Sequence, residues 1–148
     1  MVNIMIHAKD NNFILGTEDT TYAFRVTKSG HLEPLYYGRK ISLGDLSVIT
    51  EKSAFCSGTS LNYTQDDLSF SLEELCLEAS GQGKGDIRES FCEIVHADGS
   101  RTCDFIYDKY TLKDENPYLY TMPCSYSSNK LPAHLTVTLK DKYYDNSV

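Results

Sequence analysis

The chain has 148 residues and a formal net charge of −7, which fits one globular domain of ordinary size. An acidic surface repels phosphate backbones, and no Lys/Arg cluster suits an anionic membrane, so neither nucleic acid nor membrane is an expected partner. No run approaches the roughly 20 apolar residues that span a bilayer.

The opening residues Met1-Val2-Asn3-Ile4-Met5-Ile6-His7 have no basic start and no long apolar run. No signal peptide is expected, and the expected location is the cytoplasm. Tyr22, Phe24 and Val26 then alternate with Ala23 and Arg25. That period of two predicts a strand with one buried face. Lys28-Ser29-Gly30 predicts a turn, and residues 32–37 a second strand. Residues 41–67 are weakly patterned and rich in Ser, Thr, Gly and Asp. They are expected to form a long loop with one short strand near Val48-Ile49, and loops of that length often carry function. Asn62-Tyr63-Thr64 matches a glycosylation triplet, which carries no weight without a secretion signal.

Ser71-Leu72-Glu73-Glu74 fits a capping box and predicts a single helical turn. Residues 79–85 hold three glycines and are expected to be irregular. The run Gly81-Gln82-Gly83-Lys84-Gly85-Asp86 is not a phosphate loop. That motif needs Lys-Ser or Lys-Thr between a strand and a helix, and Asp86 would repel phosphate. Asp86 beside Arg88 predicts a local ion pair. Residues 91–96 and 101–107 flank Ala97-Asp98-Gly99-Ser100, and Asp-Gly supplies the positive φ of a tight turn, so a β-hairpin is expected. Leu135, Val137 and Leu139 alternate with Thr136, Thr138 and Lys140, predicting a last strand. Residues 145–148 are expected to pair back onto it. The sum is an all-β, antiparallel β-sandwich over residues 1–148.

No catalytic centre is legible. His7, His31, His96 and His134 show no metal-binding spacing and read as surface or turn residues. The cysteines number five, an odd count without a CxxC pair, which predicts reduced thiols and no zinc site. The carboxylates cannot be paired across a sugar from spacing alone. No metal or cofactor is expected. Tyrosine is enriched, with eleven against no tryptophan, and aromatic faces bind sugars as well as building cores and interfaces.

Five segments together resemble the N-terminal domain of glycoside hydrolase family 36 α-galactosidases. They are Phe24-Arg25-Val26 with Gly30-His31-Leu32-Glu33-Pro34-Leu35-Tyr36-Tyr37-Gly38, then Gly83-Lys84-Gly85-Asp86-Ile87-Arg88-Glu89. His96-Ala97-Asp98-Gly99-Ser100-Arg101-Thr102 with Asp104-Phe105 is the third. Residues 119–126 and Leu135-Thr136-Val137-Thr138-Leu139-Lys140-Asp141 complete the set. Their order and spacing carry the likeness more than any one motif does. Ser90-Phe91 departs from the family, which often has proline there.

The resemblance implies the first part of a β-supersandwich, followed in the family by a (β/α)8 barrel that carries both catalytic aspartates and by a C-terminal β-domain. This chain is thus expected to be a truncated, catalytically inactive domain. Its partners would be the rest of an α-galactosidase chain and further copies in a homo-oligomer. The full enzyme would act on galactosides of the melibiose or raffinose type. The family's N-terminal loop reaches a neighbouring active site, where an acidic residue followed by a basic one contacts the terminal galactose. Glu51 and Lys52 are the nearest match. Tyr36, Tyr37, Gly38, Asp86 and Arg88 are expected in structural or interface roles. Two rivals stand beside this reading: a free-standing sugar-binding module, and an interaction domain without a sugar role.

Overall fold

A computed structural model of the chain describes residues 5–42, 46–51, 61–113 and 133–148. Four strands, β1 (Met5–Lys9), β2 (Asn12–Gly16), β3 (Thr20–Val26) and β4 (Leu32–Arg39), form an antiparallel sheet in the order β1-β2-β3-β4. β5 (Phe105–Lys113) and β6 (His134–Asp141) form a second, two-stranded antiparallel sheet. The predicted strands at 22–26, 32–37 and 135–140 lie within β3, β4 and β6.

The β1–β2 hairpin carries no expectation above, yet its chemistry is local. Asp10 and Asn11 have φ of 50° and 62°, and two positive φ values are what a two-residue hairpin turn requires. Asp and Asn tolerate that region best after glycine. In β4, Pro34 lies beside a register shift between Ala23 and Phe24 of β3. A proline is tolerated there because β4 is an edge strand of its sheet, where a missing N–H need cost no ladder bond.

The sheets meet through aromatic rings. Phe13 stacks on Phe24 at 4.8 Å, and Tyr107 and Tyr110 of β5 approach Phe13 at 6.0 and 5.2 Å. Phe13 and Phe24 are both buried, and burying a phenylalanine contributes roughly 1.5–3 kcal/mol. A second cluster joins Cys103, Phe105 and Leu139, with Leu32, Ala79 and Ile94 against it. This is the expected all-β, antiparallel sandwich.

The sheets also close where the β3–β4 turn lies on β5. Gly30 has φ of 91°, its carbonyl accepts the Tyr107 N–H at 2.7 Å, and an added Cβ would stand 2.9 Å from Cβ of Ile106. Gly30→Ala therefore meets a left-handed backbone and a crowded neighbour together. The expected cost is about 2–4 kcal/mol, seen as a lower urea midpoint with unchanged slope.

Three expectations are corrected. Val48-Ile49 is not a strand but part of a one-turn helix, α1 (Ser47–Thr50). Both side chains are exposed, so no sheet partner rewards their β preference. The Asp98-Gly99 turn forms, with the His96 N–H on the Ser100 carbonyl at 2.9 Å, but its arms 91–96 and 101–104 form no ladder. Their period of two still governs burial, since Cys92, Ile94 and His96 turn inward while Phe91, Glu93 and Val95 are exposed. The backbone bonds go elsewhere: Phe91 N–H to Ser80 O and Cys103 N–H to Gln82 O. The helical turn predicted after Ser71 exists as a 3₁₀ turn, Leu72–Glu74, but without the capping box. Ser71 makes no side-chain cap bond, and its buried Oγ has no partner among the described residues.

Two of the four histidines are also not surface residues. His31 and His96 are buried. His96 stacks on Tyr144 at 3.5 Å with Nε2 3.0 Å from the Thr102 carbonyl. Polar partners for the ring nitrogens make such burial tolerable. At the far end, residues 146–148 pair with β6, with Leu139 N–H on Val148 O at 2.8 Å and Val148 N–H on Leu139 O at 3.0 Å.

Candidate functional site

Alternation along β3 and β4 places Arg25 and Glu33 opposite each other in register. Arg25 Nε donates to Glu33 Oε2 at 2.7 Å, and the Glu33 side chain is 3% exposed. The other arm of the guanidinium reaches out of the sheet. Its Nη2 donates to the Thr50 carbonyl, the last residue of α1, at 3.3 Å. Glu51 follows at once, exposed and extended (φ −64°, ψ 128°). Arg25 and Thr50 also line an open cleft of about 670 Å³ with Lys28, Tyr63, Phe70 and Lys142. The segment expected to meet substrate thus leaves the domain at the rim of this cleft, from a point bonded to the sheet. Lys52 lies outside the described residues, as does the 119–126 motif.

A polar chain runs from residues that line the cleft to the buried His31 and Asp104. Ser29 Oγ lies 2.9 Å from Nδ1 of His31, and Nε2 of His31 lies 2.9 Å from Asp104 Oδ1. Tyr63 donates its hydroxyl to Asp104 Oδ2 at 2.9 Å, and Lys142 Nζ donates to the Tyr63 oxygen at 3.2 Å. Burial alone would raise the Asp104 pKa, but the bonds from His31 and Tyr63 outweigh it and hold the carboxyl below its ordinary value. An ionised carboxylate only accepts, so His31 presents a proton on Nε2. Burial, reinforced by Asp104, raises the Tyr63 phenol above its usual range, which keeps it a donor.

Serine, histidine and aspartate in a row invite a hydrolase reading, which the geometry refuses. The His31 side chain is 4% exposed, so no substrate reaches it. The amides after Ser29 are already used, Gly30 N–H on Thr27 O and His31 N–H on Thr27 Oγ1. They cannot stabilise an oxyanion. The chain of bonds ties the β3–β4 turn, the residue that leads into β5 and Tyr63 into one unit. Among the described residues no group of His, Cys, Asp or Glu is arranged to hold a metal, and no helix there is long and apolar enough to cross a membrane.

Asp104 also sets an acid limit. A folded pKa below the unfolded value of about 3.9 contributes stability that is present above that value and lost as pH falls through the folded pKa. Asp86 acts alike, its burial outweighed by bonds from Arg88 and Ser80. The two raised phenols, Tyr22 and Tyr63, contribute stability that is present below about pH 10 and lost as pH rises towards their folded values. Urea midpoints are therefore expected to fall below about pH 4 and again above about pH 10. Asp104→Asn should flatten the acid limb.

The remaining residues singled out in the sequence occupy two other places. Tyr36 donates its hydroxyl to the Arg39 carbonyl at 2.8 Å, passing over Gly38, where an added Cβ would stand 2.8 Å from that hydroxyl. Tyr37 is 78% exposed, its ring edge-on to Tyr22. Asp86 and Arg88 form a bidentate pair at 2.9 and 3.2 Å, and Arg88 also donates to the carbonyls of Leu72 and Leu75. Sequence reasoning missed Arg25, Glu33 and Tyr63 as site residues. The hairpin register after Lys28-Ser29-Gly30 could have found the first two.

A family model for the "Glycosyl hydrolase family 36 N-terminal domain" matches residues 30–148. This chain belongs to that family. The domain is 28% identical over 130 residues to the bifunctional alpha-galactosidase/sucrose kinase AgaSK of Mediterraneibacter gnavus, covering 88% of this chain and 14% of that protein. Among solved structures, the alpha-galactosidase of Lactobacillus brevis superposes with a TM-score of 0.81 at 25% identity. That match covers 95% of this chain and 19% of that one. The galactosidase domain of AgaSK also superposes at 0.81, with 26% identity over 93% of this chain and 19% of that one. This family 36 domain thus spans less than a fifth of the enzymes it matches.

Proposed function

We propose that this domain serves a larger α-galactosidase as a non-catalytic part. It supports assembly of a homo-oligomer and presents Glu51 and Lys52 to a galactoside bound in a neighbouring subunit. The observation that favours the reading is the bond from Arg25 to the Thr50 carbonyl, which ties the end of α1, and with it the exposed Glu51, to the sheet. Two enzymes matched along most of this chain are named alpha-galactosidases, which favours α-galactosides as substrates, with melibiose- or raffinose-type sugars the ones to test. The paired carboxylates of a retaining mechanism would then lie in another part of the protein. Cys76, Cys92 and Cys103 are free thiols, in keeping with a reducing, cytoplasmic setting.

In the full-length enzyme, Glu51→Ala removes a charged hydrogen bond to sugar. Such a bond is worth about 1.5–3 kcal/mol, so KM for raffinose should rise about tenfold or more with kcat nearly unchanged. Unaltered KM would refute the role of Glu51. The exposed Tyr37 favours one rival, a free-standing sugar-binding module. Millimolar galactose binding by the isolated chain, abolished by Tyr37→Ala, would support that rival instead.

A further inference from the structure

We infer that Arg25 and Glu33 are positioning residues for substrate recognition: the pair sets the direction in which Glu51 leaves the domain. This rests on the proposed role of Glu51 and adds residues that touch no sugar themselves. Glu33 is a carboxylate almost wholly removed from water, and Arg25 is only partly exposed. Burying such a pair contributes little to stability compared with apolar residues of the same size. Its geometry is specific nonetheless. The guanidinium is planar, so once Nε is fixed on Glu33 at 2.7 Å, the direction of Nη2 is fixed as well.

Nη2 reaches the Thr50 carbonyl, at the end of a helix too short to hold its own shape. The helix has no side-chain cap and no basic residue in its last turn. Arg25, on the sheet, brings a cation to the last of its carbonyls. One bond separates that carbonyl carbon from the nitrogen of Glu51. A fixed Thr50 peptide plane leaves the Glu51 side chain free only about its own torsions, which lowers the entropy lost on meeting a sugar hydroxyl.

The test uses the full-length α-galactosidase, with raffinose as substrate, and a double-mutant cycle between Arg25 and Glu51. Arg25→Ala is expected to raise KM about fivefold to tenfold with kcat within about twofold. Arg25→Lys should recover only part, since an ammonium cannot hold Glu33 and Thr50 in one plane. In a Glu51→Ala background, Arg25→Ala should change KM by less than about twofold, because nothing remains to be positioned. A lower melting temperature is expected in either case, since Glu33 loses its Arg25 partner; a merely structural role would instead shift KM equally in both backgrounds, which would overturn the inference. If Arg25→Ala does not fold, Glu33→Leu, which removes the acceptor that fixes Nε, carries the same cycle with the same expected outcomes. Glu51→Ala without effect on KM overturns the underlying reading and this inference with it. Glu51→Ala with an effect, but additive with Arg25→Ala, overturns the positioning role alone.

Discussion

Asp104→Ala is expected to destabilise the domain by about 2–6 kcal/mol, because it leaves two buried donors unsatisfied at about 1–3 kcal/mol each. The Asp104 side chain is 1% exposed and accepts from both His31 and Tyr63. Its loss leaves the His31 Nε2 proton and the Tyr63 hydroxyl without their acceptor in a place water hardly reaches. The damage spreads because the three residues belong to different parts of the chain. Urea unfolding of the purified chain measures it. Tyr63→Phe is the calibrating control: it removes one hydroxyl, keeps the ring against His31 and Phe70, and should cost about 1 kcal/mol. A cost for Asp104→Ala no greater than the control would mean that the buried chain of bonds does not hold the domain together.

Arg88→Ala is expected to cost a similar amount, about 3–5 kcal/mol. One guanidinium joins the Asp86 carboxylate, whose side chain is 1% exposed, to the carbonyls of Leu72 and Leu75. Those carbonyls belong to the first residue of the 3₁₀ turn and the residue just after it, and Leu75 lines the cleft. Arg88 thus docks the glycine-rich segment onto the turn that shapes the cleft wall. Arg88→Lys should restore less than half of the loss, since a point charge cannot serve a carboxylate and two carbonyls at once. A cycle with Asp86→Ala should show a coupling of about 2 kcal/mol or more. Additive effects would mean that the pair is incidental.

The sequence made some of this legible and hid the rest for identifiable reasons. β3, β4 and β6 carry clean alternation with a buried face, so period alone finds them. At Val48-Ile49 the β-branched residues suggested a strand, but both are exposed and lie in a one-turn helix under Arg25. Residues 91–96 alternate as a strand does, yet periodicity reports only which side faces inward, not whether a ladder forms. The β1–β2 hairpin was legible in principle through Asp10-Asn11, turn residues that need no glycine. His31 and Asp104 lie 73 residues apart, so no local pattern joins them. The Arg25–Glu33 pair sat between the two, since it follows from the hairpin register once the turn is placed. Glu51 entered through family resemblance, and the structure adds the anchor beside it.

The most direct test of the central claim mixes subunits of the full-length enzyme. One variant carries Glu51→Ala, and the other lacks its catalytic nucleophile while keeping Glu51. If the domain lends Glu51 to a neighbour, oligomers assembled from both contain sites that neither parent has: an intact nucleophile facing an intact Glu51. The mixture should then show a raffinose activity with the low KM of the unaltered enzyme. Activity with only the raised KM of the Glu51→Ala parent, in oligomers shown to contain both subunits, would contradict it.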